Sequence, residues 1–237
     1  SSPLIVDDMV IVNVGTHGLA VNKKTGETVW ASPSGRGGYS PPVLYRNHGE
    51  ERLAIFGEKG LYSVRLDDGR NVWSWPWETA YDVNAADPIV FDTKVFISSG
   101  YNTGCTLLDI SGQKPEQIWR KKTMSNHFGT AVLIDGYIYG IDGNAGRGEL
   151  ACIDARTGER KWRGDKGFGG MMAADGKLIY LNEDGRLFIV EATPARFNII
   201  SSAEVLGKTC WTAPVLANGR IYCRNHRGDI VSVDVSR

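Results

Sequence analysis

Apolar and polar positions alternate along nearly the whole chain, in short runs rather than long ones. MVIVNV, RLAIFG, KVFISSG, YIYGIDG, KLIYLNE and RIYCRNH are rich in β-branched and aromatic residues. Each follows a shorter apolar segment, often with proline: SSPLIV, YSPPVLY, ADPIVF, FGTAVLI, GGMMAAD and WTAPVLA. Period-two alternation in runs this short predicts strands buried on one face or both. No stretch sustains a helical apolar period. Asp7-Asp8, Asp135-Gly136, Asp175-Gly176 and Asn218-Gly219 join the paired runs and predict tight hairpins.

A third run and a fourth follow each pair. They read LAVNKKTGETVW to Trp30, LYSVRLDDGRNVW to Trp73, TLLDISGQKPEQIW to Trp119 and LACIDARTGERKW to Trp162. A worn copy, LFIVEATPARF, ends at Phe197, which takes the place of the tryptophan in this alignment. Gly26, Gly69 and Gly158 sit where the hairpin needs positive φ. The Trp-to-Trp intervals are 43, 46 and 43 residues. A repeat of about 40–50 residues with several strands per unit predicts an all-β propeller of four-stranded antiparallel blades. The strands are named A to D from the axis outward, and Trp30, Trp73, Trp119 and Trp162 are expected to dock in the seams between blades.

The runs supply six A, six B and six C strands but five D strands, 23 in all. The last unit, DIVSVDVSR, stops before its tryptophan strand. Residues 1–237 are therefore expected to form a single propeller domain that is part of a longer ring. A six-bladed ring with one incomplete blade is the alternative.

Composition narrows the picture modestly. The 27 basic and 27 acidic residues give a formal net charge of zero, which speaks against nucleic-acid binding through bulk charge. No apolar run is long enough for a transmembrane helix, and no signal peptide is visible in the chain. Cys105, Cys152, Cys210 and Cys223 form no CxxC pair. Cys210 and Cys223 fall on consecutive strands of one unit, so a cross-strand disulfide stays open.

The repeated [AVL]-x-[DN]-x-x-[TD]-G-x-x-x-W signature resembles the tryptophan-docking repeats of quinoprotein-type propellers, the pyrroloquinoline quinone (PQQ)-like repeats. SSPLIVDDMVIV, SSGYNTGCTLL and RIYCRNHRGDIVSVDV are most similar to bacterial outer-membrane assembly factor B-like proteins and related dehydrogenase-like propellers. The resemblance implies a ring of commonly eight blades and a periplasmic or extracellular location. It also implies one of two activities. One is a non-catalytic scaffold that binds a protein partner or small ligand on its axial face. The other is a PQQ-dependent alcohol or sugar oxidoreductase using calcium.

The A-strand starts and the loops before them ring the funnel of a propeller. They offer Tyr39, Asp82, Asn84, Asn126, His127 and Trp211 as ligand-binding candidates, and Arg224 joins them from a B–C link. Tyr39 and Trp211 could stack on a planar ligand, and Asn126 and His127 could hydrogen-bond to it. Arg147, Arg224 or Arg227 could fork onto carboxylates. Asp82 is the sole carboxylate in the funnel segments, so a calcium site rich in oxygen donors is not expected. The leading expectation is the scaffold, with no cofactor, no metal site and no catalytic residue assigned; calcium with PQQ stays with the oxidoreductase alternative. A carbohydrate-binding module stacking sugars on Trp75, Trp77 and Tyr81 is a weaker alternative.

Overall fold

A computed structural model describes residues 1–236. Among the described residues the regular structure is all strand, apart from one 3₁₀ turn at Ala80–Asp82. The chain divides into two compact units, Ser1–Lys122 and Thr123–Arg237.

The first unit holds three antiparallel sheets in meander order. Blade 1 comprises β1 (Leu4–Val6), β2 (Met9–Val12), β3 (Leu19–Asn22) and β4 (Thr28–Ala31). Blade 2 comprises β5 (Val43–Asn47), β6 (Glu50–Gly57), β7 (Gly60–Arg65) and β8 (Asn71–Pro76). Blade 3 comprises β9 (Ile89–Phe91), β10 (Lys94–Ser99), β11 (Gly104–Asp109) and β12 (Glu116–Lys121).

The second unit repeats the plan. Blade 4 comprises β13 (Val132–Ile134), β14 (Tyr137–Asp142), β15 (Glu149–Asp154) and β16 (Arg160–Arg163). Blade 5 comprises β17 (Gly169–Ala174), β18 (Lys177–Asn182), β19 (Arg186–Glu191) and β20 (Ile199–Glu204). Blade 6 has three strands, β21 (Val215–Ala217), β22 (Arg220–Arg224) and β23 (Ile230–Asp234). The 23 strands fall over the six units as predicted, except that the outer strand of blade 5 begins after Phe197 rather than ending on it.

The local chemistry follows the sequence pattern. The A–B hairpins turn on His48-Gly49, Asp135-Gly136, Asp175-Gly176 and Asn218-Gly219, with positive φ at both central residues. That geometry matches the twist of the flanking strands. In the C–D hairpins, Asn22 and Asp154 accept bonds from the backbone amides two and three residues on. The following glycines, Gly26 and Gly158, take φ 75° and 70°.

In blades 2 to 5 the B and C strands are largely buried on both faces, as in β6 and β14, whereas β23 of blade 6 alternates exposed and half-buried residues. D strands are not buried in this way. In β4 and β16 one residue of four is buried, and it is the tryptophan. Each C–D ladder carries a register shift beside this position, at Ala20/Val21, Ser63/Val64, Leu107/Leu108, Cys152/Ile153 and Ile189/Val190. In blades 1, 2 and 4 the bulge bends the outer strand and aims the indole at the next sheet.

Trp30 donates its indole N–H to the Leu66 carbonyl of blade 2 at 2.9 Å, and Trp162 donates to Thr193 of blade 5 at 2.7 Å. Trp73 packs with Leu108 and Ile110 of blade 3, but its buried indole nitrogen has no partner. Here Asn47 donates to the Ile110 carbonyl at 2.8 Å instead.

The fifth unit needs a correction. Its bulge aligns Ser201 with the tryptophan position, because Ser201 pairs with Ile189 as Trp162 pairs with Cys152. Phe197 lies before β20, in the hairpin, and its ring packs on Trp162 at 5.5 Å. It receives the docking tryptophan of blade 4 rather than replacing that of blade 5. Cys210 and Cys223 are buried free thiols in one apolar cluster with Leu181 and Ile221.

Candidate functional site

Each sheet gathers its D–A and B–C loops at one end, and buried polar groups at the ends of the B strands pin them there. In blade 1, Asn13 donates to Ser40 O and Phe56 O and accepts from Gly38 N. In blade 3, Ser99 donates to Asn84 and accepts from the Trp77 indole. In blade 4, Asp142 accepts from Ser125 N at 3.0 Å and pairs with Arg160 at 2.6 Å. In blade 5, Asn182 donates to Lys166 O and accepts from Arg186 N. In blade 6, Asn225 binds Asp229. Blade 2 has Gly57 at this position, and its carbonyl accepts from Asn84. A buried polar side chain persists at such a place because its bonds are all internal. Sequence reasoning missed this set, although its signal is visible as one polar residue closing each apolar B run.

In the second unit these loops carry an aromatic stack. Phe168 is fully buried at its root. Phe128 packs edge-on against Phe168 at 4.9 Å, and Trp211 packs edge-on against Phe128 at 5.5 Å. His127 flanks both phenylalanines, at 4.7 and 6.3 Å. Burial pushes the imidazole below its ordinary pKa, which favours the neutral ring.

Trp211 stands at the top, 51% exposed. Its indole N–H points to Glu183 at 3.4 Å, and the same carboxylate accepts from Gly146 N at 3.0 Å. Arg224 donates to Thr212, beside Trp211, at 3.2 Å. Asn126 is buried and donates to Ile141 O. The structure therefore brings His127, Trp211 and Arg224 together at the loop end of this unit, and places Asn126 beneath them as a backbone tie.

In the first unit, Tyr39 is 61% exposed and its amide bonds to Asn84 O. Asn84 is completely buried and donates to Gly57 O and Glu58 O, so its side chain is engaged within the protein. Asp82 pairs with Lys59 at 2.8 Å, and that bond holds its carboxyl below the usual carboxylate range. Tyr81 is 79% exposed on the 3₁₀ turn and meets Tyr101 edge-on at 5.0 Å. Trp77 is 1% exposed, covered by the Arg120 guanidinium at 4.3 Å. Its faces are closed to a sugar, which removes the central residue of the carbohydrate-binding alternative.

The donor set does not fit calcium with PQQ. Calcium asks for six or more oxygen ligands. Among the described residues no three His, Cys, Asp or Glu side chains cluster to hold an ion. Asp82 is tied to Lys59, Glu183 to Gly146 and Trp211, and Asp142 to Ser125 and Arg160.

Blades of this pattern, with tryptophans docking seam by seam, define a β-propeller of PQQ-like type. The family model described as outer membrane protein assembly factor BamB matches residues 1–164 and 143–196, and the chain belongs to that family. BamB of Salmonella typhimurium strain LT2 is 26% identical over 110 residues, covering 46% of this chain and 27% of that protein. The chain thus matches about a quarter of that curated relative's length.

Among solved structures, BamB from Moraxella catarrhalis superposes with a TM-score of 0.54 at 17% identity, over 94% of this chain and 80% of that one. Quinohemoprotein alcohol dehydrogenase from Comamonas testosteroni gives 0.64 at 14% identity, over 94% and 50%. The computationally designed Ika8 protein gives 0.73 at 9% identity, over 97% and 69%. These likenesses establish the fold. No helix among the described residues is long and apolar enough to cross a membrane.

Proposed function

We propose that this propeller is a non-catalytic docking scaffold that binds a protein partner through the loop end of its second unit. The observation that carries the reading is Trp211, a half-exposed indole held upright on a buried aromatic root. Binding hot spots are enriched in Trp, Tyr and Arg, and a pre-organised aromatic loses little entropy on binding. Membership of the BamB family supports a role in assembly rather than chemistry, and with it a periplasmic or extracellular location. The oxidoreductase alternative draws on likeness of fold alone, and the donor set of this chain disfavours it. Tyr39 and Asp82 belong in this reading to a secondary contact zone on the first unit. Asn84 and Asn126 act beneath the two surfaces as positioning residues.

A photo-crosslinking amino acid at position 211, in the full-length protein in its native cells, tests the proposal. One at Ser201, on the exposed outer strand β20, serves as control. A discrete adduct from 211 that is absent from 201 is expected. No adduct from 211, or equal adducts from both, would overturn it.

A further inference from the structure

The charges around Trp211 say what kind of segment this surface takes. We infer that the loop end of the second unit binds a carboxylate-rich polypeptide segment carrying an aromatic side chain; the inference rests on the scaffold reading above.

The loops concerned are residues 143–148, 164–168, 183–185, 205–214 and 225–229. Their carboxylates are already engaged. Asp184 pairs with Lys208 at 3.0 Å, and Asp165 pairs with Lys166 at 2.7 Å. Asp229 is bound by Asn225 at 2.8 Å, and Glu183 by Gly146 and Trp211.

Three arginines on or beside the same loops are left over. Arg147, Arg224 and Arg227 are exposed and make no ion pair among the described residues. Each is tied to the Trp211 neighbourhood by bonds already described or by one more. Arg147 follows Gly146, which shares the Glu183 carboxylate with the indole. Arg224 bonds to Thr212, next to Trp211. Arg227 follows His226, whose amide bonds to Thr209 O at 2.9 Å, two residues before Trp211.

Glu183 and Asp229 are held by neutral donors and keep their charge, so the five basic and four acidic side chains on or beside these loops leave one net positive charge. The three exposed arginines without an ion pair, set around a half-exposed indole, are complementary to acidic groups flanking an apolar anchor. Guanidinium groups bind carboxylates through paired N–H donors. Phe128 and Trp211 already pack edge-on, so an incoming ring has an aromatic face and edge to meet. A segment of this composition would gain encounter rate from the arginines and residence time from the anchor.

The test uses fluorescein-labelled synthetic peptides and the purified protein, read by anisotropy at low and moderate salt. One peptide carries Asp and Glu around a single Phe. A second replaces the acids with Lys, and a third replaces the Phe with Ser. Saturable, salt-sensitive binding of the first peptide is expected, with at least tenfold weaker binding of the other two. The R147A/R224A/R227A variant and Trp211→Ala should each weaken the first peptide at least tenfold, with unchanged circular dichroism. Binding of the Lys peptide as tight as the acidic one, or an acidic peptide indifferent to the arginines, would overturn the inference. A position-211 adduct in cells together with failure of the acidic peptide would overturn the segment chemistry alone and leave the scaffold reading standing.

Discussion

The Trp30 ring lies directly over the backbone of Gly69, one blade further along the chain. A Cβ at Gly69 would sit 2.6 Å from ring atoms Cδ2 and Cε3 of the indole, and the residue holds φ 71°. Gly26 occupies the same hairpin position with φ 75° and nothing within 4 Å. The pair separates two reasons for glycine in the repeat. Gly26→Ala should cost about 1 kcal/mol, the conformational term alone. Gly69→Ala should cost about 1–3 kcal/mol more, because the docking ring must move. Urea unfolding of both variants measures the difference; equal losses would show that the ring contact is not limiting.

The seam bond predicts a graded series at Trp30. Trp30→Phe keeps most of the apolar contact but leaves the Leu66 carbonyl without its indole donor, a loss of about 1–2 kcal/mol. Trp30→Ala also empties the seam and should cost about 3–5 kcal/mol. Trp73→Phe should be milder than Trp30→Phe, since its buried indole nitrogen has no partner to lose. Denaturant midpoints of the three variants decide it, and a Trp73→Phe loss exceeding that of Trp30→Phe would count against the seam account.

Strands, hairpin glycines and the docking tryptophans Trp30, Trp73 and Trp162 were legible in the sequence because each is fixed locally, by alternation, positive φ or a repeated large ring. Phe197 misled for the same reason. Spacing from the hairpin put it at the tryptophan position, whereas pairing across the bulge gives that place to Ser201. Register is a cross-strand property that a single strand does not display. Trp77 and Tyr81 looked alike as aromatics near one loop. Only packing separates them, one beneath Arg120 and the other lifted into solvent. Of the site, Trp211, His127 and Arg224 were legible as residue types on predicted loops. The stack on Phe168 and the engagement of Glu183 were not, because both join blades distant in sequence.

Asn84 links two blades through buried bonds to Gly57 O, Glu58 O and Ser99. Asn84→Ala leaves buried partners unpaired and should cost about 2–4 kcal/mol. It should also loosen the Tyr39 loop, whose amides bond to the Asn84 carbonyl. Faster hydrogen exchange at Tyr39 and Ser40, beyond the global loss, is the expected signature. Unchanged exchange there would show that the loop is held by other contacts.

His127 gives a pH dependence with a definite sign. Its folded pKa lies below the ordinary value of 6.5, because burial disfavours the imidazolium. The unfolded state therefore binds the proton more readily, and this contribution to stability is present above pH 6.5 and lost as pH falls below it. His127→Gln should flatten the drop in stability between pH 7.5 and 5.0 relative to wild type. An identical slope in both proteins would remove His127 from the account.

The most direct test of the docking surface is recovery of the native partner by full-length protein with and without Trp211. Trp211 is half exposed but packs on Phe128, so Trp211→Ala should cost about 1–3 kcal/mol, and circular dichroism checks that the variant stays folded. Tagged wild-type and variant proteins are isolated in parallel from native cells, and co-purifying polypeptides are quantified by mass spectrometry. The account predicts one near-stoichiometric polypeptide with the wild type and at least a tenfold drop with Trp211→Ala. Equal recovery by the two proteins would contradict it.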